Sequence, residues 1–254
     1  MRKKLSKISI LHCHKLVLRS VLLIIATILY IISKINDVNF NIYEKRPILL
    51  LIIWGVFLIE MILRFFPSKF ESMGCQKQFS KNYIFSETDK IDNNDKPRKH
   101  SVFWIIIFWI LLNSIFGVLY LFDVIDVGIL IIISLIYSVC DMVCILFFCP
   151  FQTWFMKNKC CTTCRIYNWD YAMMFTPLVF VKNIFSLSLV VISIVLLIEW
   201  EILYRKYPKR FYESTNKSLR CENCKEKLCY HKKQLRSFIK KRINIIRKEN
   251  KKLH

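Results

Sequence analysis

Five apolar stretches of about 20 residues each, at 16–35, 47–66, 102–122, 127–148 and 184–203, set the terms on which this chain can fold. A helix crosses a hydrocarbon core of about 30 Å with about 20 residues, at a rise of about 1.5 Å each. A water-soluble helix needs one apolar stripe, yet 129–136 and 187–198 are apolar on almost every side. The expectation is an all-α, polytopic integral membrane helix bundle with five clear spans. The first stretch follows a basic start (Met1-Arg-Lys-Lys) but continues through Tyr30, Ile31 and Ile32 without a small-x-small cleavage site, which reads as an uncleaved first helix.

Charge fixes the orientation. The formal charge is +21, from 39 Lys and Arg against 18 Asp and Glu. In a soluble chain that excess would point to nucleic acid. In a membrane chain it reads first as cytoplasmic loops held against anionic lipid headgroups. Five crossings starting inside leave 15 basic residues in and 20 out, and inverting the chain only swaps the two numbers. Placing both ends inside gives 33 in, against two (Lys45 and Arg46) on the first outer loop. An even number of crossings therefore fits the charges better.

The extra crossing has one home, a short and kinked sixth span in 166–181, apolar after Tyr171 and interrupted by Pro177. It turns at Lys182-Asn183 and returns through the final stretch; the rival reading is one long bent helix over 166–204. The resulting plan is a basic cytoplasmic N-terminus (1–15), a first hairpin (16–66), a polar basic loop (67–101) and a second hairpin (102–148). A Cys-rich interfacial loop (149–165), the kinked segment (166–204) and a basic Cys-containing tail (205–254) complete it. The second hairpin closes through Asp123-Val-Ile-Asp126, too short for anything but a tight turn with an acidic tip. The residues 149–159, with Phe151, Trp154, Phe155 and Met156, read as a segment at the headgroup level.

Two span ends share the pattern Glu-x3-Arg-x2-Pro-x-basic-Phe, at Glu60 to Phe70 and Glu201 to Phe211. Glu and Arg four apart lie on one helix face, in the favourable order for an ion pair. Proline then ends the helix, and the basic residue reaches for the interface. The same chemistry at both ends favours the same side of the membrane.

Eleven cysteines are many for 254 residues. The C-x2-C pairs Cys161/Cys164 and Cys221/Cys224 have the bite that lets two thiolates hold one tetrahedral Zn²⁺, with Cys160, Cys229 and His231 as alternates. The pairs can share an ion only if they lie on one face of the membrane, which six crossings allow and five forbid. Thiol–disulfide chemistry by the same pairs is the competing reading. Cys140, Cys144 and Cys149 read as buried structural thiols.

Charges inside spans are costly and mark partners or pathways. Glu60, Arg64 and Arg19 lie near span ends and are expected to snorkel, whereas Asp141 lies deeper, facing a polar cavity or a basic residue of a neighbouring helix. In the tail, Leu235, Phe238, Ile239, Ile243 and Ile246 share a helical face opposite Arg236, Lys240, Lys241, Arg247 and Lys248. That layout suits an interfacial helix on anionic lipid, with RNA docking as the runner-up. No phosphate loop or catalytic signature is visible. The function expected is non-enzymatic: a membrane protein, of bacterial cytoplasmic-membrane type by its Ile, Lys and Asn richness, with a structural zinc site and a protein partner at its cytoplasmic face. The alternatives are a membrane redox protein and a small transporter or channel component using Asp141.

Overall fold

The computed structural model describes residues 7–36, 47–67, 73–87, 90–93, 99–156 and 167–223. Among these the chain is all-helical. Its α-helices are α1 (Lys7–Ile35), α2 (Pro47–Phe65), α3 (Met73–Gln78), α4 (Lys99–Leu121), α5 (Val127–Leu146), α6 (Asp170–Phe175) and α7 (Ile184–Lys206). Four helices are long and apolar enough to cross a membrane: Ile10–Ile35, His100–Leu121, Val127–Leu146 and Ile184–Lys206. Their outer faces carry what a soluble protein hides. Val17, Val21, Ile24, Ile28 and Ile31 are exposed along α1, and Phe103, Ile107, Ile110 and Leu111 along α4. Apolar surface on that scale is covered by lipid.

Specific contacts set the helix directions. At one end of the bundle Arg19 of α1 meets Asp141 of α5, and at the other Tyr30 and Lys34 of α1 meet Asp126, which caps α5. Hence α1 and α5 are antiparallel. The α4–α5 turn is as tight as its length requires: Asp123 adopts φ 54°, and Val124 and Ile125 both donate to the Leu119 carbonyl.

The segment before α7 is neither a regular span nor part of one bent helix. It is a 3₁₀ turn (Tyr167–Trp169), six α-helical residues of α6, and a second 3₁₀ stretch (Thr176–Phe180). Pro177 and the change of helix type break it, and Asn183 then opens α7 by accepting from Phe185 N at 2.9 Å. Trp169 donates to Glu201 at 2.7 Å while Asn183 N donates to Val181 O, so the segment runs antiparallel along α7. It is wedged inside the bundle: Ser134 of α5 donates to the Met174 carbonyl, and Trp109 of α4 donates to Thr176. Phe180 lies so close to Gly117 that a Cβ there would sit 2.4 Å from its ring. Tyr171, Met174, Phe175 and Leu178 form the middle of the core with Phe57, Met61, Leu189 and Trp200.

A small cap closes the end at which α2 and α7 finish. After α7 the chain makes 3₁₀ turns at Pro208–Arg210 and Lys217–Leu219 and returns to the loop that follows α2. Ser86 N donates to Thr215 O, and Lys217 N donates to Ile84 O. Asn216, fully buried, donates to the Lys77 and Arg210 carbonyls and accepts from Ser218. The cap is tied to the bundle through Asn168 and Gln78 (3.2 Å) and through the edge-on rings of Phe79 and Trp200.

Candidate functional site: a buried charge cluster

Helix α1 includes residues 7–15, so that part of the basic segment before residue 16 is already helical. His12, Lys15 and Arg19 therefore stand three and four residues apart on one face. On α2, Phe57, Glu60, Met61 and Arg64 form the matching buried stripe, and on α5 it is Ser134 and Ser138, continued by the half-buried Asp141. These stripes, with the start of α6, meet at the capped end of the bundle.

Arg19 is the hub. Its Nη2 donates to Glu60 Oε2 at 2.7 Å, and its Nη1 donates to Asp141 Oδ2 at 3.1 Å and to the Ser138 carbonyl at 3.0 Å. Glu60 is held a second time by Lys15 (3.2 Å) and a third by the Tyr171 hydroxyl (3.1 Å). Arg64 binds Asp170 at 2.5 Å and lies over the Tyr171 ring, with Cζ 4.6 Å from its centroid. Arg19 lies over Phe57 in the same way, at 5.3 Å. Three carboxylates thus face three cations, and the cluster is neutral when each carries its ordinary charge.

Two expectations are corrected here. Arg19 and Arg64 do not snorkel: each is 3 % exposed, because carboxylates on neighbouring helices supply inside the bundle what water would supply outside. Glu60 also does not serve Arg64 across one helix turn; it serves α1 and α6, while Arg64 serves α6. In the second copy of the pattern, Glu201 accepts from Trp169, and Phe211 is buried against Tyr204 and Trp200. Asp141 meets the second of its two expected fates, a basic partner on another helix. His12, 2 % exposed, presents two ring nitrogens with no hydrogen-bond partner among the described residues.

Among the described residues no group of three or more His, Cys, Asp or Glu is arranged to hold a metal ion. Cys160, Cys161, Cys164, Cys224, Cys229 and His231 lie outside the described residues, and Cys221 is described only in its backbone, at the start of a 3₁₀ turn (Cys221–Asn223). The basic face of Arg236, Lys240, Lys241, Arg247 and Lys248 also lies outside them. Of the thiols in and just after α5, Cys140 is exposed on the outer surface rather than buried, while Cys144 and Cys149 are half-buried. Trp154 is 65 % exposed, whereas Phe155 and Met156 pack inward on Ile105 of α4.

Comparison with protein-family models, curated proteins and solved structures finds no match to this chain.

Proposed function

We propose that this chain is a non-enzymatic membrane scaffold with six crossings and both ends in the cytoplasm, pinned inside the bilayer by the charge cluster and on its cytoplasmic face by a Cys₄ zinc site. The observation that carries this reading is the packing around α3. The turn Tyr167–Trp169 and the turn Lys217–Leu219 both pack against that one short helix. The first follows Cys164 by three residues and the second precedes Cys221 by two. The chain next to each cysteine pair is thereby held at one patch on one side of the bundle, which supports a shared site. Four thiolates there, among the tail's lysines and arginines, suit a closed tetrahedral Zn²⁺ site.

The even crossing count has the same support. The second apolar stretch and the last one finish at the capped end, where the loop after α2 and the chain after α7 pair through Phe85 and Asn216. The buried segment 167–181 runs antiparallel to α7 and thus supplies the sixth traverse. The neutral, hydrogen-bonded charge cluster leaves no net charge for a transported ion to balance, which favours a pin over a pathway. The strongly basic sequence beyond residue 205 suits anionic headgroups and an acidic protein partner.

Metal content tests the reading. Protein purified without chelator is expected to hold one equivalent of zinc, and Cys161→Ser or Cys224→Ser to lose it with a lowered Tm. Zinc-free protein of unchanged Tm would end the scaffold's metal clamp.

A further inference from the structure

Cys144 and Cys149 are five residues apart, a spacing that keeps side chains away from each other on a continuing helix. At about 100° per residue they would point about 140° apart. The end of α5 overrides that separation. Pro150 has no N–H to carry the helix on, so the chain leaves it at Phe147, with φ −120° and ψ −69°. Phe147 N and Phe148 N both donate to the Val143 carbonyl, which folds the chain back on its own last turn. The Cys149 thiol is thereby brought into hydrogen-bonding contact with the Cys144 thiol. Both are half-buried thiols, not halves of a disulfide, and the edge-on pair Phe148 and Trp154 (5.7 Å) marks the same stretch as an aromatic rim.

Helix contacts place this corner at the end of the bundle that carries Asp141 and the cap. Cys13 of α1 packs nearby on Met142, Ile145 and Leu146, but these thiols form no metal-holding group with it among the described residues. Two thiols in contact, with no third ligand among the described residues, suit two-electron chemistry better than metal.

We propose that Cys144 and Cys149 form a redox-active dithiol, which a low-molecular-weight disulfide oxidises to an intrachain disulfide at the end of α5. The Cys149 thiolate, beyond the helix, attacks one sulfur of the small disulfide, making a mixed disulfide and releasing one small thiolate. Cys144 then attacks Cys149 Sγ as its thiol proton leaves, closing the Cys144–Cys149 bond and releasing the second. The two cysteine protons go to the two released thiolates, so the protein loses two electrons and two hydrogens while the small disulfide becomes two thiols. Closing this bond staples the start of the aromatic segment Phe151–Met156 to α5, and reduction frees it. This site is separate from the proposed zinc ligands, and its failure would leave that reading untouched.

The test uses the full chain in detergent, incubated with oxidised glutathione and then alkylated and digested without reduction. The expected product is one peptide pair linked Cys144 to Cys149, with alkylation at both positions lowered about tenfold or more. Cys144→Ser is expected to trap glutathione on Cys149, whereas Cys149→Ser leaves Cys144 largely alkylatable. Wild-type protein in which both thiols are still fully alkylated, or in which Cys144 is linked to Cys13 or Cys140, would overturn the proposal without reliance on any variant.

Discussion

Arg19 shows how one side chain holds three helices. Its two terminal nitrogens satisfy Glu60 on α2, Asp141 on α5 and a backbone carbonyl of α5. Removing it leaves Asp141 with no hydrogen-bond donor among the described residues and Glu60 with only Lys15 and Tyr171. A buried charge left without its partner costs about 3–5 kcal/mol. Arg19→Met is therefore expected to lower stability by that order, read as thermal unfolding in a detergent micelle. Neutralising both acids as well, in Arg19→Met/Glu60→Gln/Asp141→Asn, should recover a good part of the loss, since no uncompensated charge then remains. Arg19→Lys should fall between, because an ammonium is a compact point charge without the planar fork that spans several acceptors. Equal stability of Arg19→Met and wild type would remove the pin from the account. The cluster's members were only partly legible in the sequence. Glu60, Arg64 and Asp141 stand out as charges in apolar stretches, but Lys15 and His12 lie before the apolar run and look like a solvated arm. Their spacing of three and four residues with Arg19 was the available signal. Asp170 and Tyr171 carry none, since they join only through the course of a broken segment.

At the scale of the element, Asp126 does two jobs. Its Oδ1 accepts from Ile129 N at 3.0 Å as the N-cap of α5, and its Oδ2 receives Tyr30 (3.1 Å) and Lys34 (2.9 Å) from α1. Burial alone would push its carboxyl pKa up. The Lys34 hydrogen bond, the Ile129 N–H and the Tyr30 hydroxyl outweigh that and hold it below the ordinary 3.8. A carboxylate whose pKa is depressed by folding stabilises the fold fully above its ordinary value, and the contribution is lost as pH falls through the depressed one. Asn still caps the helix, so Asp126→Asn is expected to melt only slightly below wild type near neutral pH, by about 0.2–1 kcal/mol for the carboxylate's lost ion pair. The gap should narrow on acidification below about pH 4. A gap that stays constant with pH would mean that the carboxylate's charge plays no part. This turn was legible because a four-residue link between two apolar runs permits little else. The stretch 167–181 was less so: Pro177 and Asn183 announce a break and a cap, but the alternation of 3₁₀ and α turns follows from the space left among α4, α5 and α7. Sequence periodicity does not contain that space.

At the scale of the whole molecule, the distribution of charge and the pairing of loops point the same way by unrelated physics. Basic residues collect on the cytoplasmic side because translocating them is costly. The cap forms because Asn216 finds backbone partners both in the loop after α2 and in its own turn. A hydrogen-bonded cap shared by the second loop and the post-α7 segment puts those two on one side of the bundle, which supports the even count proposed above. Charge counting alone could reach an even number but could not say which loops touch, since that depends on side-chain carbonyl contacts made more than a hundred residues apart. Exposed positions on the two sides make the point measurable. Lys81 and Lys209 lie on the cap, and Val124 lies in the opposite turn between α4 and α5. With Lys81→Cys, Lys209→Cys and Val124→Cys placed singly in a background whose native thiols are blocked, a membrane-impermeant maleimide should label Val124→Cys in sealed cells. It should reach Lys81→Cys and Lys209→Cys only after the membrane is opened. Labelling of Lys81→Cys and Lys209→Cys from opposite sides would break the even count, and with it the shared face on which the zinc clamp depends.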